Sequence, residues 1–267
     1  DLANTAWAFA TLGISEPRLF DAIAREAVAR ASEQCIGDFK AQNVANTAWA
    51  YAIVGVATRG VLVKAVNARA ASIGIDALSL VNRMQLHQFF LSVEPELRLP
   101  AELLAPIGLR DVCTQAMADE PTASSKLHLE VSAELTRMGI SHANELCVPK
   151  LGYHVDIAIL PITNTAVAEM ALLDDKVAAR AREAVRAATV TYGGLVIEVD
   201  GPSHYDAARR LLPAIALIRR HLALVGCAVV VDGAVDLGRL LVLLEAPLLR
   251  ARLGGAQLQL AKFFLEL

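Results

Sequence analysis

A ten-residue block occurs twice. "NTAWAFATLG" begins at Asn4 and "NTAWAYAIVG" at Asn46, a period of 42 residues with seven identities in ten. Trp7 corresponds to Trp49 and Gly13 to Gly55. A period of this size constrains the fold strongly, because each unit is one supersecondary piece that cannot bury its apolar face alone and has to stack on its neighbours. A third, degenerate copy is "RMQLHQFFLSV" from Arg83, with Gln88 in the tryptophan's place and Phe89 and Phe90 supplying aromatic bulk.

Between the first two copies, "PRLFDAIAREAVARASE" from Pro17 carries Leu19, Ile23, Ala27 and Ala31 on one helical face, with its charges opposite. Each unit therefore reads as two helices, the first with small alanines for close packing and the second amphipathic. Trp7 and Trp49 are expected to be buried anchors in equivalent positions, each with a partner for its indole N–H. Asn4 and Asn46, three residues earlier on the same face, are expected to bind backbone of the adjoining helix. Hydrophobic residues make up 55% of the chain and aromatics only 5%, an aliphatic composition that suits stacked helices better than a β-sandwich.

The pattern changes after "ELRLPAELLAPIGLRD" and "ADEPTASS", which read as the end of the array and a linker. A helix capped at Ser124 or Ser125 follows, with Leu129, Ala133 and Leu135 as inward candidates. "YHVDIAIL" alternates as a strand, with Val155, Ile157 and Ile159 on one face and His154 and Asp156 on the other. An Ala-rich helix is expected at about residues 166–188, then a strand "GGLVIEVD", a helix "LPAIALIRRHLALVG" and a strand "CAVVVD". The fold class is thus multidomain α and α/β: a helical-repeat solenoid over residues 1–110, a linker over 111–123, an α/β domain over 124–245 and a helical tail over 246–267.

Several functional classes are excluded at this level. The net charge of -3 and pI of about 6.1 provide no general attraction for nucleic acid or acidic membranes, so an anionic partner has to be held locally. The longest apolar run, "LLVLLEAPLL", is interrupted by Glu245 and Pro247. It falls far short of the roughly 20 residues of a spanning helix, so no membrane association is expected. Cys35, Cys113, Cys147 and Cys227 include no close pair and read as reduced, buried, small apolar residues. The chain starts in mid-pattern at Asp1, so it is expected to be the C-terminal part of a longer parent, with any targeting segment outside this sequence.

Candidate chemistry gathers at "LVIEVDGPSHY", residues 195–205. Strand parity puts Glu198 and Asp200 on one face, and Asp156 lies on the polar face of its own strand. If these strands are neighbours, three carboxylates converge, and such hard oxygen ligands suit Mg²⁺. Glu130 or Glu134 could add a fourth oxygen, and His204 could shuttle protons. The alternative is structural: Asp200 caps the Gly201-Pro202 turn, Glu198 pairs with Arg219 or Arg220, and His204 orients the turn.

"VDIAIL", then "LVIEVDGPSHY", then "AIALIRRHLALVG" and "CAVVVD" together resemble the RAP domain, a module at the C-terminus of organellar RNA-processing proteins, over roughly residues 124–235. The "NTAWA" blocks are similar to the octotricopeptide-like repeats that precede such domains. The resemblance implies a restriction-endonuclease-like fold and a role in binding mitochondrial or plastid RNA. Position by position, Asp156 matches the family's strand aspartate and Glu198 and Asp200 its E-x-D pair. Gly201 and His204 match its turn, and Arg219 and Arg220 its basic helix. The chain departs from the family in the added helix between the acidic strands and in Cys227, where a tryptophan is frequent.

Two functions follow as expectations. In the first, the protein grips single-stranded RNA through phosphate contacts and stacking, with Arg209, Arg210, Arg219, Arg220, His204 and Tyr205 as contact residues and no cofactor required. In the second, it is a metal-dependent endoribonuclease in which Asp156, Glu198 and Asp200 hold Mg²⁺ and Asp200 or His204 handles protons. Asp200 stands where restriction-type sites place a lysine, and a carboxylate cannot neutralise a developing phosphorane, so binding is favoured over cleavage. A third expectation is a scaffold that docks other RNA-processing proteins.

Overall fold

The computed structural model describes residues 2–32, 39–55, 60–97, 104–137, 141–148, 151–159, 195–225 and 227–232. The expected helix at about 166–188, the tail over 246–267 and Cys35 lie outside these residues. The chain divides into two units. The first comprises the described residues up to Glu120 together with Asp206–His221; the second comprises those from Pro121 to Tyr205 and from Leu222 onward.

The first unit is helical. Helices α1 (Leu2–Thr11), α3 (Ala41–Val54) and α5 (Leu80–Leu97) stack in that order, α2 (Pro17–Ser32) packs on α4 (Gly60–Ile73), and α6 (Ile107–Ala118) packs on α5. Small residues make the close approach feasible. Ala3, Ala6 and Ala10 form one stripe of α1, and α3 in the middle is buried at Val44, Ala45, Asn46, Thr47, Ala48, Ala50, Tyr51 and Ala52. The α2 face read from periodicity is present, with Ile23 and Ala27 buried beside Phe20. Phe20 meets Tyr51 edge-on at 5.3 Å, and the Tyr51 hydroxyl donates to the Phe20 carbonyl. Ser79 and Asn82 cap α5 reciprocally: Asn82 N–H donates to Ser79 Oγ at 3.2 Å and Ser79 N–H to Asn82 Oδ1 at 3.3 Å.

The residues that recur in the sequence touch one another. Asn46 Nδ2 donates to Asn4 Oδ1 at 3.4 Å, and Gln85 Nε2 donates to Asn46 Oδ1 at 3.2 Å. One turn further on, the Trp7 and Trp49 rings lie 6.4 Å apart, and Trp49 Nε1 donates to Gln88 Oε1 at 2.7 Å. Gln88 therefore meets the tryptophan it replaces in the third block, 39 residues after Trp49. The amides bind each other rather than backbone of the adjoining helix, as was expected of them. The expectation of two equivalently buried tryptophans is corrected as well. Trp7 is 41% exposed whereas Trp49 is half-buried, because Trp49 lies between Trp7 and Gln88 while α1 is the outer helix of the three.

The glycines of the two blocks play matching roles. Gly13 and Gly55 have φ of 68° and 62°, a left-handed conformation that L side chains resist. A Cβ on Gly13 would stand 3.3 Å from Pro213 Cγ, and one on Gly55 would stand 3.4 Å from Arg220 Nη1. Both neighbours belong to α8 (Pro213–Leu224), whose residues up to His221 belong to the helical unit and whose Leu217 enters its core. The helical unit thus takes in a segment read from the sequence as part of the following domain. The expected linker at 111–123 is also corrected over most of its length: Pro106 is the N-cap of α6 and starts a helix instead of ending one, and Leu109, Cys113, Ala116 and Met117 bury its inner face.

The second unit contains α7 (Lys126–Arg137) and a four-stranded sheet in the order β1 (His142–Cys147), β2 (His154–Ile159), β3 (Leu195–Val199), β4 (Ala228–Asp232). The first three strands pair antiparallel, and β4 runs parallel to β3. Val155, Ile157 and Ile159 are buried as alternation predicts, and Ala158 is buried as well, so β2 is covered on both faces there. Among the described residues no helix is long and apolar enough to cross a membrane.

Candidate functional site

The site is built from the start of α7. Ser125 Oγ accepts the backbone N–H of His128 at 3.1 Å, the N-cap arrangement expected of that serine. The inward face of α7 is His128, Val131, Ser132 and Leu135. Of the three inward candidates read from sequence only Leu135 is buried; Leu129 is 55% exposed and Ala133 is exposed. Ser132 joins the helix to β1, with its Oγ 2.9 Å from His142 Nε2 and accepting Asn144 Nδ2 at 2.8 Å. One turn earlier the same face presents His128, which is 1% exposed.

Two carboxylates meet this imidazole. His128 Nδ1 lies 3.2 Å from Glu145 Oε1 and 4.0 Å from Asp156 Oδ1. The pairs Asn144↔Ile157 and Leu146↔Val155 flank Glu145 and Asp156, so the register sets these two opposite each other. Glu145 has φ of 49°, uncommon for a residue with a Cβ, and is held by Ser124 Oγ, which donates to its Oε1 at 2.8 Å. Asp156 Oδ2 accepts the Val199 backbone N–H at 2.7 Å. Burial raises the Asp156 pKa above the ordinary carboxylate range, against the Val199 N–H and the nearby His128, which lower it. One ligand atom from each of His128, Glu145 and Asp156 falls within 4.8 Å of the others.

The remaining acidic candidates are placed differently. Carrying the Ile157↔Ile197 register one step outward sets Glu198 opposite Asp156 on the same face of the sheet, where Glu198 is half-buried. Asp200 is 2% exposed and engaged by its own turn: His204 Nδ1 lies 2.9 Å from Oδ1, and the Tyr205 hydroxyl donates to Oδ2 at 2.7 Å. Pro202–His204 forms a single 3-10 turn closed by His204 N–H on the Gly201 carbonyl at 3.0 Å. Asp200, His204 and Tyr205 therefore engage one another through their side chains. Glu130 and Glu134, proposed to add a fourth oxygen, pair instead along their helix with Lys126 and Arg137.

The basic candidates separate into two kinds. Arg220 Nη2 donates to the Ala52 carbonyl and lies 3.3 Å from Ser92 Oγ, so its head is committed inside the helical unit, and Arg219 beside it is half-buried. Arg209 and Arg210 are exposed. They sit on a loop closed by Asp206, whose carboxylate accepts the backbone N–H of Ala208 and Arg210 and the Nε of Arg210, each at 2.8 Å. Arg210, led by its backbone N–H, holds the Asp206 carboxyl below its ordinary range.

Sequence reasoning missed His128 and Glu145. His128 was findable, because it lies three and seven residues before Val131 and Leu135, the spacing of one helical face. Glu145 was not, because "HANELC" lacks the alternation and β-branched residues that announce a strand. Compared with known proteins, the chain matches no family model, no curated protein and no solved structure.

Proposed function

We propose that this chain is an RNA-binding protein of mitochondrial or plastid RNA metabolism. In this reading a helical-repeat solenoid and a restriction-endonuclease-like RAP domain engage single-stranded RNA without a required cofactor. The observation that carries it is the stack of α1, α3 and α5, in which Asn4, Asn46 and Gln85 occupy one row and Trp7, Trp49 and Gln88 the next. The rows hold the helices together, and stacked helices of this kind build extended surfaces from their exposed residues, along which a linear polymer can lie. The support for a nucleic acid is local: exposed Arg209 and Arg210 on a loop of fixed shape can fork onto phosphates, which a chain of net charge -3 does not attract globally.

A second reading, a metal-dependent endoribonuclease, is favoured by one observation, the bond from Val199 N–H to Asp156 Oδ2, which brings Asp156 to the end of β3 that carries Glu198. The engagement of Asp200 by His204 and Tyr205 counts against it, since two of its four candidate groups are then occupied with each other. Incubation of the purified chain with labelled single-stranded RNA, with and without Mg²⁺ or Mn²⁺, separates the two. Retarded RNA of unchanged length is expected. Metal-dependent shortening of the RNA would establish the second reading.

A further inference from the structure

We propose that His128, Glu145 and Asp156 form a binding site for a divalent transition-metal ion of the Mn²⁺ or Zn²⁺ class, sharing only Asp156 with the Mg²⁺ site expected at Asp156, Glu198 and Asp200. His128 is 1% exposed, and neither of its ring nitrogens makes a hydrogen bond. Nδ1 is 3.2 Å from Glu145 Oε1 without the geometry of one. A buried imidazole has to place a lone pair and an N–H, and leaving them unused is unfavourable. A cation between the three groups takes the Nδ1 lone pair and neutralises two carboxylates that otherwise repel across the same pair of strands.

The spacings suit this. Metal–ligand bonds of about 2.0–2.2 Å at tetrahedral or octahedral angles put neighbouring ligand atoms about 3–3.5 Å apart. The His128–Glu145 separation of 3.2 Å is already there, and the 4.0 Å to Asp156 needs only a small inward rotation of that carboxylate. Supporting bonds orient both acids: Ser124 Oγ donates to Glu145, and Val199 N–H takes Asp156 Oδ2, leaving Oδ1 toward the imidazole. One nitrogen and two oxygens form a borderline donor set. Imidazole favours Mn²⁺ or Zn²⁺ over Mg²⁺, which prefers oxygen and retains its waters. Three protein ligands leave coordination positions open for water.

The rival arrangement, an imidazolium held by two carboxylates without metal, predicts no binding. The test is calorimetric titration of the metal-stripped chain with MnCl₂, ZnCl₂ and MgCl₂ in the absence of RNA, so its outcome is independent of RNA binding. One Mn²⁺ or Zn²⁺ per chain is expected, tighter than Mg²⁺, with loss of at least about tenfold in affinity in both His128→Asn and Glu145→Gln. Glu145→Gln is nearly isosteric and the Glu145 side chain is 22% exposed, so this variant keeps the test open if His128→Asn fails to fold. Co²⁺ bound to the parent should show visible absorption bands that shift in Glu145→Gln. Absence of Mn²⁺ and Zn²⁺ binding in the parent, or affinity and Co²⁺ bands unchanged in Glu145→Gln, would overturn the proposal.

Discussion

Asp200 is 2% exposed, yet it is not an isolated buried charge, since His204 and Tyr205 each engage one of its oxygens. Removing one partner leaves a buried carboxylate under-satisfied, at a cost of about 1–3 kcal/mol. Tyr205→Phe should therefore lower the urea midpoint without changing its slope, and an unaltered midpoint would show that solvent replaces the hydroxyl. His221 titrates in the opposite setting. It is fully buried with Nε2 2.8 Å from Ser92 Oγ, and burial, then Arg220 and His87, push its pKa down from 6.5 to about 3. Because the folded value is depressed, the unfolded chain takes up the proton first. Stability is then complete above about pH 6.5 and declines as pH falls toward 3, by up to about 1.4 kcal/mol per unit. Urea titrations between pH 7 and 4 should show this decline, with a shallower one in His221→Gln. At this scale the turn was legible, because Asp200, Gly201, Pro202 and His204 are local in sequence. The partners of His221 were not, since Ser92 lies 129 residues away.

The helices were legible through two kinds of signal. Periodicity of 3.6 located α2, and the recurrence of a whole block located α1 and α3 and pointed to α5 through Gln88, Phe89 and Phe90. What escaped was burial along the stack, because a repeat states which positions are equivalent but not how many neighbours each copy packs against. Trp7 and Trp49 differ because Trp49 lies between Trp7 and Gln88, whereas Trp7 meets a ring on one side only among the described residues. In the sheet, β2, β3 and β4 were legible from apolar runs, while β1 was hidden by its polar residues and is held to α7 by Ser132, His142 and Asn144. The middle copy should then carry most of the row's energy. Asn46 is 8% exposed and bonded on both sides, to Asn4 and Gln85, whereas Asn4 is exposed. Asn46→Ala should cost about 1–3 kcal/mol in urea unfolding and Asn4→Ala a few tenths, within the usual range for buried and exposed sites. Equal costs would show that the row does not act through the central amide.

For the whole molecule, a net charge of -3 means that any affinity for RNA has to be carried by a few local contacts, and the salt dependence of binding counts them. The four arginines read from the sequence are no longer equivalent. Arg209 and Arg210 stand exposed on the loop closed by Asp206, while Arg220 is spent on the Ala52 carbonyl and Ser92. Replacing Arg209 and Arg210 together by Ala should weaken single-strand binding and lower the log–log salt slope by about 0.7 for each phosphate that is no longer neutralised. Arg220→Ala should act through the fold instead, reducing the thermal midpoint and altering RNA affinity only to the extent that helicity is lost. The carboxylates give the complementary measurement. Glu198→Gln removes a charge that repels the RNA backbone, so a binding protein should hold RNA as well as before or more tightly. An endoribonuclease that used Glu198 as a metal ligand would lose cleavage in the same variant. An unchanged salt slope after removal of both loop arginines would place the RNA on other, exposed positions of the helical unit, since the row amides are already bonded to one another and Asn46 is 8% exposed.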